Sequence, residues 1–296
     1  MPNSVFLNLN QINIDLQNTT FVNPNIGLII KAGIPFIHDF NYGPTPDGAI
    51  TDGFNIFIGI ASGNFTMGAR AIGAGQNFFG SYNTAVGAYT LHNNRDGYYN
   101  VAFGYEALRD NRDGFRNTAI GFLTLSSNTD TNENTAIGNG ALNNLNGGTG
   151  ANTAIGRGSL ALLTTGSLNT ALGHQSGRYL SDGTTPNQTS ENCVFIGGLT
   201  KASGAGITNE NVFGYNTIGN GSNTITLGNA TITDTYLRGR VRAGDRLAWV
   251  GTTPASLANG DIWIESSTGD FTSAAATLTL KVRNNGVSRT LATVTF

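Results

Sequence analysis

Histidine and cysteine are common metal ligands and nucleophiles, and this chain has few of them. The three histidines, His38, His92 and His174, occupy unrelated positions and never form a close H-x-H pair. Cys193 is the single cysteine, which excludes an internal disulfide, and no neighbouring base marks it as a nucleophile. We therefore expect a small buried Cys193, locally bonded or solvated histidines, and no metal or cofactor. Ligation of a metal by one histidine repeated around a threefold axis is the alternative.

Carboxylates could act in pairs to cleave a glycan. The acidic residues, however, lie mainly in turns such as NNRDG at 93–97 and DNRDG at 110–114. Aspartate is frequent in turns because its side chain bonds the local backbone. The chain also has no G-x-S-x-G, H-E-x-x-H or P-loop motif. We predict that the protein is not an enzyme and has no catalytic residues.

Aromatic and basic residues around the two paired turns could bind a sugar. Tyr98, Tyr99 and Phe115 follow these turns, and Arg95 and Arg112 lie within them. Aromatic rings with hydrogen-bonding neighbours can hold sugar rings. These five residues are the candidates for binding a host-surface glycan or protein. Their rings are expected to stack as a ladder between adjacent coils, and the favoured interpretation is that this ladder only stabilises the edge of the fold.

A second basic group lies near the C-terminus. Arg238, Arg240 and Arg242 occupy alternate positions, which places them on one face of a strand. Repeated by threefold symmetry, they would form a ring that holds anions or pairs with Asp234 and Asp245 of other chains. We predict the second arrangement, and therefore a place in a trimer interface.

Composition excludes several classes of function. Charged residues make up 11% of the 296 residues, the net charge is −2, apolar residues reach 39%, and there are 41 glycines. This profile does not fit disorder, and it gives no support for a nucleic-acid partner. No apolar run is long enough for membrane insertion. The first residues lack the features of a secretory signal, so we expect assembly in a cytoplasm.

The elements that position these residues follow from a short repeat. Copies of the form NTAIG succeed one another at intervals of 17, 17, 17, 18 and 17 residues. A short fixed period is typical of a solenoid, in which each coil covers its neighbour. The copies start at Asn83, Asn100, Asn117, Asn134, Asn152 and Asn169.

The glycine that ends each copy extends the period from Gly59, through Gly73, to Gly228. Steps of 14 to 24 residues between these glycines predict about eleven coils, with insertions at the turns. Each coil is predicted to hold two short strands. The first is the Thr84-Ala85-Val86 type, and the second ends at a leucine such as Leu91. The sequence therefore predicts an all-β fold, a parallel β-roll.

The first strand is apolar on both faces, so both faces need cover. A narrow roll cannot cover both from one chain, and the invariant small residue predicts a closely approaching second chain. We therefore predict a homotrimer. Its interface would contain the repeated alanines Ala85, Ala102, Ala119, Ala136, Ala154 and Ala171.

These repeats, together with LGNATITDTYLRG at 227–239, resemble the head repeats of trimeric autotransporter adhesins of the YadA type. The resemblance covers about residues 55–242 and implies a parallel β-roll in a trimer closed by a neck. Similar repeats occur in bacteriophage tail fibres. The ending LKVRNNGVSRTLATVTF also resembles C-terminal segments of phage fibre proteins.

Three regions follow. Residues 1–54 are predicted to be a small β module that attaches to other virion proteins, and residues 55–228 are the roll. Residues 229–296 are predicted to be a neck and a small β module of three strands, with Asn285-Gly286 as a hairpin turn.

The sequence thus predicts a structural fibre protein of a phage virion, a homotrimeric rod that mediates or supports attachment to the host. Its expected location is the virion, after assembly in the host cytoplasm. A bacterial surface adhesin of the trimeric autotransporter type is the alternative, and a capsule polysaccharide depolymerase is the third.

Overall fold

The computed structural model describes residues 29–31, 34–38, 52–64, 77–232, 235, 262–266, 277–284 and 287–295. These residues form strands and turns, with no helix among them. The chain divides into two compact units, Met1–Thr233 and Asp234–Phe296. The predicted all-β fold is therefore confirmed.

The first unit contains a 12-stranded sheet whose strands follow chain order from β1 to β12. Strands β1 and β2 form an antiparallel hairpin, and β2 pairs antiparallel with β3. From β3 onward every pair is parallel and in register, so each residue of a repeat lies beside its equivalent in the next coil. The bounds are β1 Ile29–Lys31, β2 Ile34–His38, β3 Ile56–Ile58, β4 Thr84–Val86, β5 Val101–Phe103, β6 Thr118–Ile120, β7 Thr135–Ile137, β8 Thr153–Ile155, β9 Thr170–Leu172, β10 Val194–Ile196, β11 Asn211–Phe213 and β12 Ile225–Leu227.

The parallel β-roll predicted from the repeat is confirmed, with ten parallel strands where the sequence predicts about eleven coils. The difference is the unit counted around Gly73. Strand β3 pairs directly with β4, so no coil separates them in the sheet. Gly73 itself lies outside the described residues.

The alanines of the repeat lie inside the roll. Ala85, Ala119 and their equivalents have no accessible surface in the single chain, and they belong to one core with a column of buried leucines. The prediction that they form a contact between chains is therefore wrong. Alternation along a strand separates two faces but does not say which one is inward when both are apolar. The alanines are Ala85, Ala102, Ala119, Ala136, Ala154 and Ala171, and the leucines are Leu91, Leu108, Leu125, Leu142 and Leu160.

The interior stays filled in the coils where another residue replaces the buried alanine. Phe57 and Phe195 replace the alanine in two coils, and both rings are fully buried. In each case a glycine stands where a neighbouring leucine is expected. A Cβ at Gly63 would lie 2.8 Å from the ring of Phe57, and one at Gly177 would lie 2.7 Å from the ring of Phe195. The glycines therefore make room for the rings and keep the interior close-packed.

The predicted second strand of each coil is absent in the described coils, and turns occupy its place. Between Gly87 and Leu91 the backbone returns repeatedly to positive φ, with Tyr89 at 57° and Leu91 at 47°. Each reversal redirects an N–H group: that of Tyr89 donates to Ile60 of the preceding coil, and that of Leu91 donates to Ala107 of the following coil. The segment thus stacks by hydrogen bonds between coils without extended geometry.

The asparagine that opens each repeat forms a buried ladder along the roll. The Asn117 Oδ1 atom accepts hydrogen bonds from the backbone N and the Nδ2 of Asn134, both at 3.0 Å. Its Nδ2 donates to the Thr131 carbonyl at 2.9 Å. Equivalent bonds join Asn100 to Asn83 and Asn169 to Asn152. Each side chain satisfies polar groups that burial would otherwise leave without partners.

Removal of one rung is expected to destabilise the roll. Asn117→Ala leaves the buried N–H of Asn134 without its partner, at a cost of roughly 1–3 kcal/mol, and removes one of the two amide donors to the Thr131 carbonyl. Urea unfolding at a fixed protomer concentration measures the change. Asn139→Ala is the matched control, because Asn139 is exposed. Equal stability of the two variants would contradict a supporting role for the ladder.

The second unit contains a three-stranded antiparallel sheet. Its strands are β13 Ile262–Ser266, β14 Thr277–Asn284 and β15 Val287–Thr295. The pairing of β14 with β15 extends to Asn284 and Val287. The three strands predicted from the sequence are confirmed, and the predicted turn at Asn285-Gly286 lies outside the described residues.

Candidate functional site

The predicted aromatic residues lie in two ring columns on the turn side of the roll. Tyr98 stacks on Phe115, with ring centroids 4.8 Å apart and planes inclined by 5°. Tyr99 stacks on Tyr82 at 4.9 Å, and Tyr82 stacks on Phe54 at 5.6 Å. The stacking predicted from the repeat is confirmed.

The stacking decides which part of each ring a ligand could reach. Rings that stack along the roll cover each other's faces. A ligand that approaches the column from the side would therefore meet the edges of the rings. Tyr98 is also half-buried, and burial raises the pKa of its hydroxyl. Arg116 lies over Phe115, with its guanidinium carbon 5.6 Å from the ring centroid. This geometry supports the ladder that stabilises the coil edge.

The arginines of the turns fall into two groups. Arg95 pairs with Asp113 at 2.6 Å and with Asp96 at 3.1 Å. Arg109 pairs with Asp110 at 2.6 Å and also with Glu106. The bond from Arg109 lowers the pKa of the Asp110 carboxyl. Arg112 lies between these pairs in sequence, is exposed, and has no acidic partner in the described part of the chain.

A groove of about 570 Å³ crosses five successive coils on this side. All of its lining residues have polar side chains, and two of them, Arg95 and Arg112, are predicted receptor-binding residues. Tyr98, Tyr99 and Phe115 do not line it. The complete lining is Asn64, Asn93, Arg95, Asp110, Arg112, Ser127, Thr129 and Asn146. Sequence reasoning missed the groove because its members become neighbours only when coils stack in register.

The outer face of the parallel sheet carries an apolar stripe. In each strand the residue after the buried alanine points outward. Phe103 and Ile120 are each 40% exposed, and Leu172 is 47% exposed. This outer stripe consists of Ile58, Val86, Phe103, Ile120, Ile137, Ile155, Leu172, Ile196, Phe213 and Leu227. Contiguous apolar surface of this length is typical of an interaction site.

The coil between β9 and β10 carries an exposed loop after Tyr179. Within it, Asp182 accepts hydrogen bonds from the backbone N–H groups of Thr184 and Thr185, at 2.9 and 2.8 Å, and from the Thr185 hydroxyl. The hydroxyl is the main cause that lowers the pKa of Asp182 to about 2. The carboxylate therefore holds the loop in a compact turn.

This loop is expected to lose order only in strong acid. The folded pKa lies below the ordinary value of 3.8, so the carboxylate contributes fully above that value and loses its contribution as the pH falls toward about 2. Selective carbon-13 labelling of aspartate and a pH titration by nuclear magnetic resonance give the midpoint directly. Thr185→Ala is expected to move the midpoint up toward 3.8. A wild-type midpoint already at 3.8 would contradict the turn.

Cys193, His92 and His174 take structural positions. Cys193 replaces asparagine in the buried ladder, where its N–H donates to Asn169 Oδ1 at 3.0 Å. Burial raises the pKa of its thiol, which fits the predicted small buried side chain. His92 Nδ1 lies 3.1 Å from the Ala61 carbonyl, and His174 Nε2 lies 3.0 Å from Arg157. No group of three or more His, Cys, Asp or Glu residues suited to a metal occurs among the described residues.

The predicted basic face of Arg238, Arg240 and Arg242 lies outside the described residues. Within the described parts of the chain, no helix is long and apolar enough to cross a membrane. Comparisons with models of protein families, with curated proteins and with solved structures gave no match.

Proposed function

We propose that this chain is a structural fibre protein of a phage virion, a homotrimeric rod that mediates or supports attachment to the host surface. The observation that carries the proposal is the outer stripe. It continues over all ten parallel strands, which corresponds to a rod on the order of 50 Å long at about 4.8 Å per strand. An isolated rod would leave this surface in water, whereas association of copies would cover it.

The repeat favours copies that lie parallel. Since the coils are in register along the sheet, three parallel rods around an axis would place like coils at the same level. Aromatic residues at the neighbouring corner extend the apolar surface: Tyr105 stacks on Phe122 at 5.4 Å, and both are more than 40% exposed. The resemblance to trimeric adhesin heads and to phage fibres supports the same assembly.

The polar groove supplies the attachment part of the proposal. It lies on the turn side, among residues that do not belong to the outer stripe. A rod can therefore use one face for its own assembly and keep another free for the host surface. Residues 1–54 would attach the rod to other virion proteins.

Two measurements test the proposal. Light scattering on the purified chain is expected to give three times the chain mass of 30.9 kDa. Immunogold labelling with an antibody against the roll is expected to decorate phage particles. A folded monomer would refute the trimeric rod. Label on the surface of uninfected bacteria, with none on particles, would instead establish the bacterial adhesin.

A further inference from the structure

We propose that the polar groove binds an acidic glycan laid along the axis of the rod, with Arg112 holding the acidic group. This inference rests on the proposed attachment function and names the class of ligand. The shared chemistry is a carboxylate or phosphate carried on a hydroxyl-rich polymer. The groove volume of about 570 Å³ lies within the range of ordinary ligand sites.

The lining selects a ligand rich in hydroxyl groups. Amide and hydroxyl side chains both donate and accept hydrogen bonds, and Asn93, Ser127, Thr129 and Asn146 provide them. No apolar side chain lines the groove, so it lacks the aromatic or aliphatic anchors on which protein partners depend. A glycan fits this lining better than a peptide does.

The charges in the groove select an acidic ligand. The carboxylate of Asp110 is already held by Arg109 at 2.6 Å and by Asn93 at 2.9 Å. Arg95 is held by Asp113 at 2.6 and 2.7 Å. Arg112 is the charged lining residue that has no acidic partner within salt-bridge distance in the described part of the chain. A guanidinium binds a carboxylate or phosphate through two parallel hydrogen bonds.

The repeat selects an extended polymer. Asn93, Asp110 and Ser127 occupy equivalent positions in three successive coils, and Arg95, Arg112 and Thr129 form a second such row. Successive coils are about 4.8 Å apart, close to the length of one sugar unit. A linear polymer along the axis would therefore meet similar polar groups at each unit.

Calorimetry on the full chain tests this site with three probes: an oligogalacturonate, a poly(glycerol phosphate) and the neutral maltohexaose. We expect one acidic probe to bind, more weakly at high salt, and maltohexaose to bind less. Binding of the first would identify a sugar carboxylate, and binding of the second a phosphate. Arg112→Gln is expected to weaken binding about tenfold or more, the effect of one charge-assisted pair.

Arg157→Gln is the matched control, because Arg157 is also exposed and without an acidic partner in the described residues but lies outside the groove. Arg112→Lys, which keeps the charge but not the fork, is expected to retain part of the affinity. Absence of binding by both acidic probes, or equal losses in the two glutamine variants, would overturn the site. If the chain is a trimer on virions but binds neither acidic probe, the glycan site is refuted and the fibre function stands. If the chain binds an acidic glycan but is absent from virions, the fibre function is refuted and the glycan site stands.

Discussion

Gly121→Ala is expected to destabilise the roll strongly. Gly121 has φ of 139°, a conformation that is strained for any residue with a side chain, and a Cβ there would lie 2.7 Å from the backbone of Gly138. The strain and the collision together cost about 2–6 kcal/mol. The same contact recurs along the stack, from Gly59 against Gly87 to Gly197 against Gly214, so the adjacent coils cannot shift to relieve it.

Thermal and urea unfolding at a fixed protomer concentration measure the loss, and Gly204→Ala is the control. A Cβ at Gly204 would meet one side-chain atom, on Ile207, at 4.0 Å, so we expect little change. If Gly121→Ala were as stable as Gly204→Ala, close backbone contact between the stacked glycines would not be what sets the coil spacing.

Ile120→Asp is expected to convert the assembly into folded monomers. Ile120 lies near the middle of the outer stripe and is 40% exposed in the single chain, so the chain itself tolerates a polar residue there. Association would bury one carboxylate from every copy near the axis, at several kcal/mol per charge. Light scattering gives the mass, and circular dichroism gives the retention of β structure.

Thr165→Asp places the same charge on an exposed turn residue and is expected to leave the mass unchanged. A folded Ile120→Asp variant that keeps the wild-type mass would exclude the outer stripe as the interface. The adjacent Ala119 is fully buried in the single chain and is unsuitable for this test. A larger residue at position 119 would disturb the interior of one chain before it reached another.

The sequence was sufficient to predict the parallel roll because the repeat is strict where backbones meet. The glycine at the end of each strand allows close backbone contact, the asparagine at its start bonds the backbone of the next coil, and both recur in the sequence. Whether the alanine side chains face the interior or the outside of the roll could not be predicted in the same way. Ala119 and Ile120 are both apolar, and the inward one is identified only by the leucine column that packs against it.

A column of left-handed residues precedes the strands and was also missed. Phe54, Tyr99, Arg116 and Glu133 all have φ between 53° and 60°, although side chains of these types seldom adopt it. Their residue types share no property that a sequence pattern could detect. The conformation is imposed by the coil, which turns a corner at this position whatever residue occupies it.

The hairpin at the start of the sheet has a consequence for growth of the rod from end to end. A stack of identical parallel coils offers each end as a template for another stack, which is a route to open filaments. Strand β2 pairs antiparallel with β3, so the parallel pattern stops there. The outermost strand β1 is only three residues long and has a register shift between Ile29 and Ile30. Short, irregular edges are poor partners for another strand, so this hairpin is expected to keep the edge of the described sheet from serving as a template for another stack.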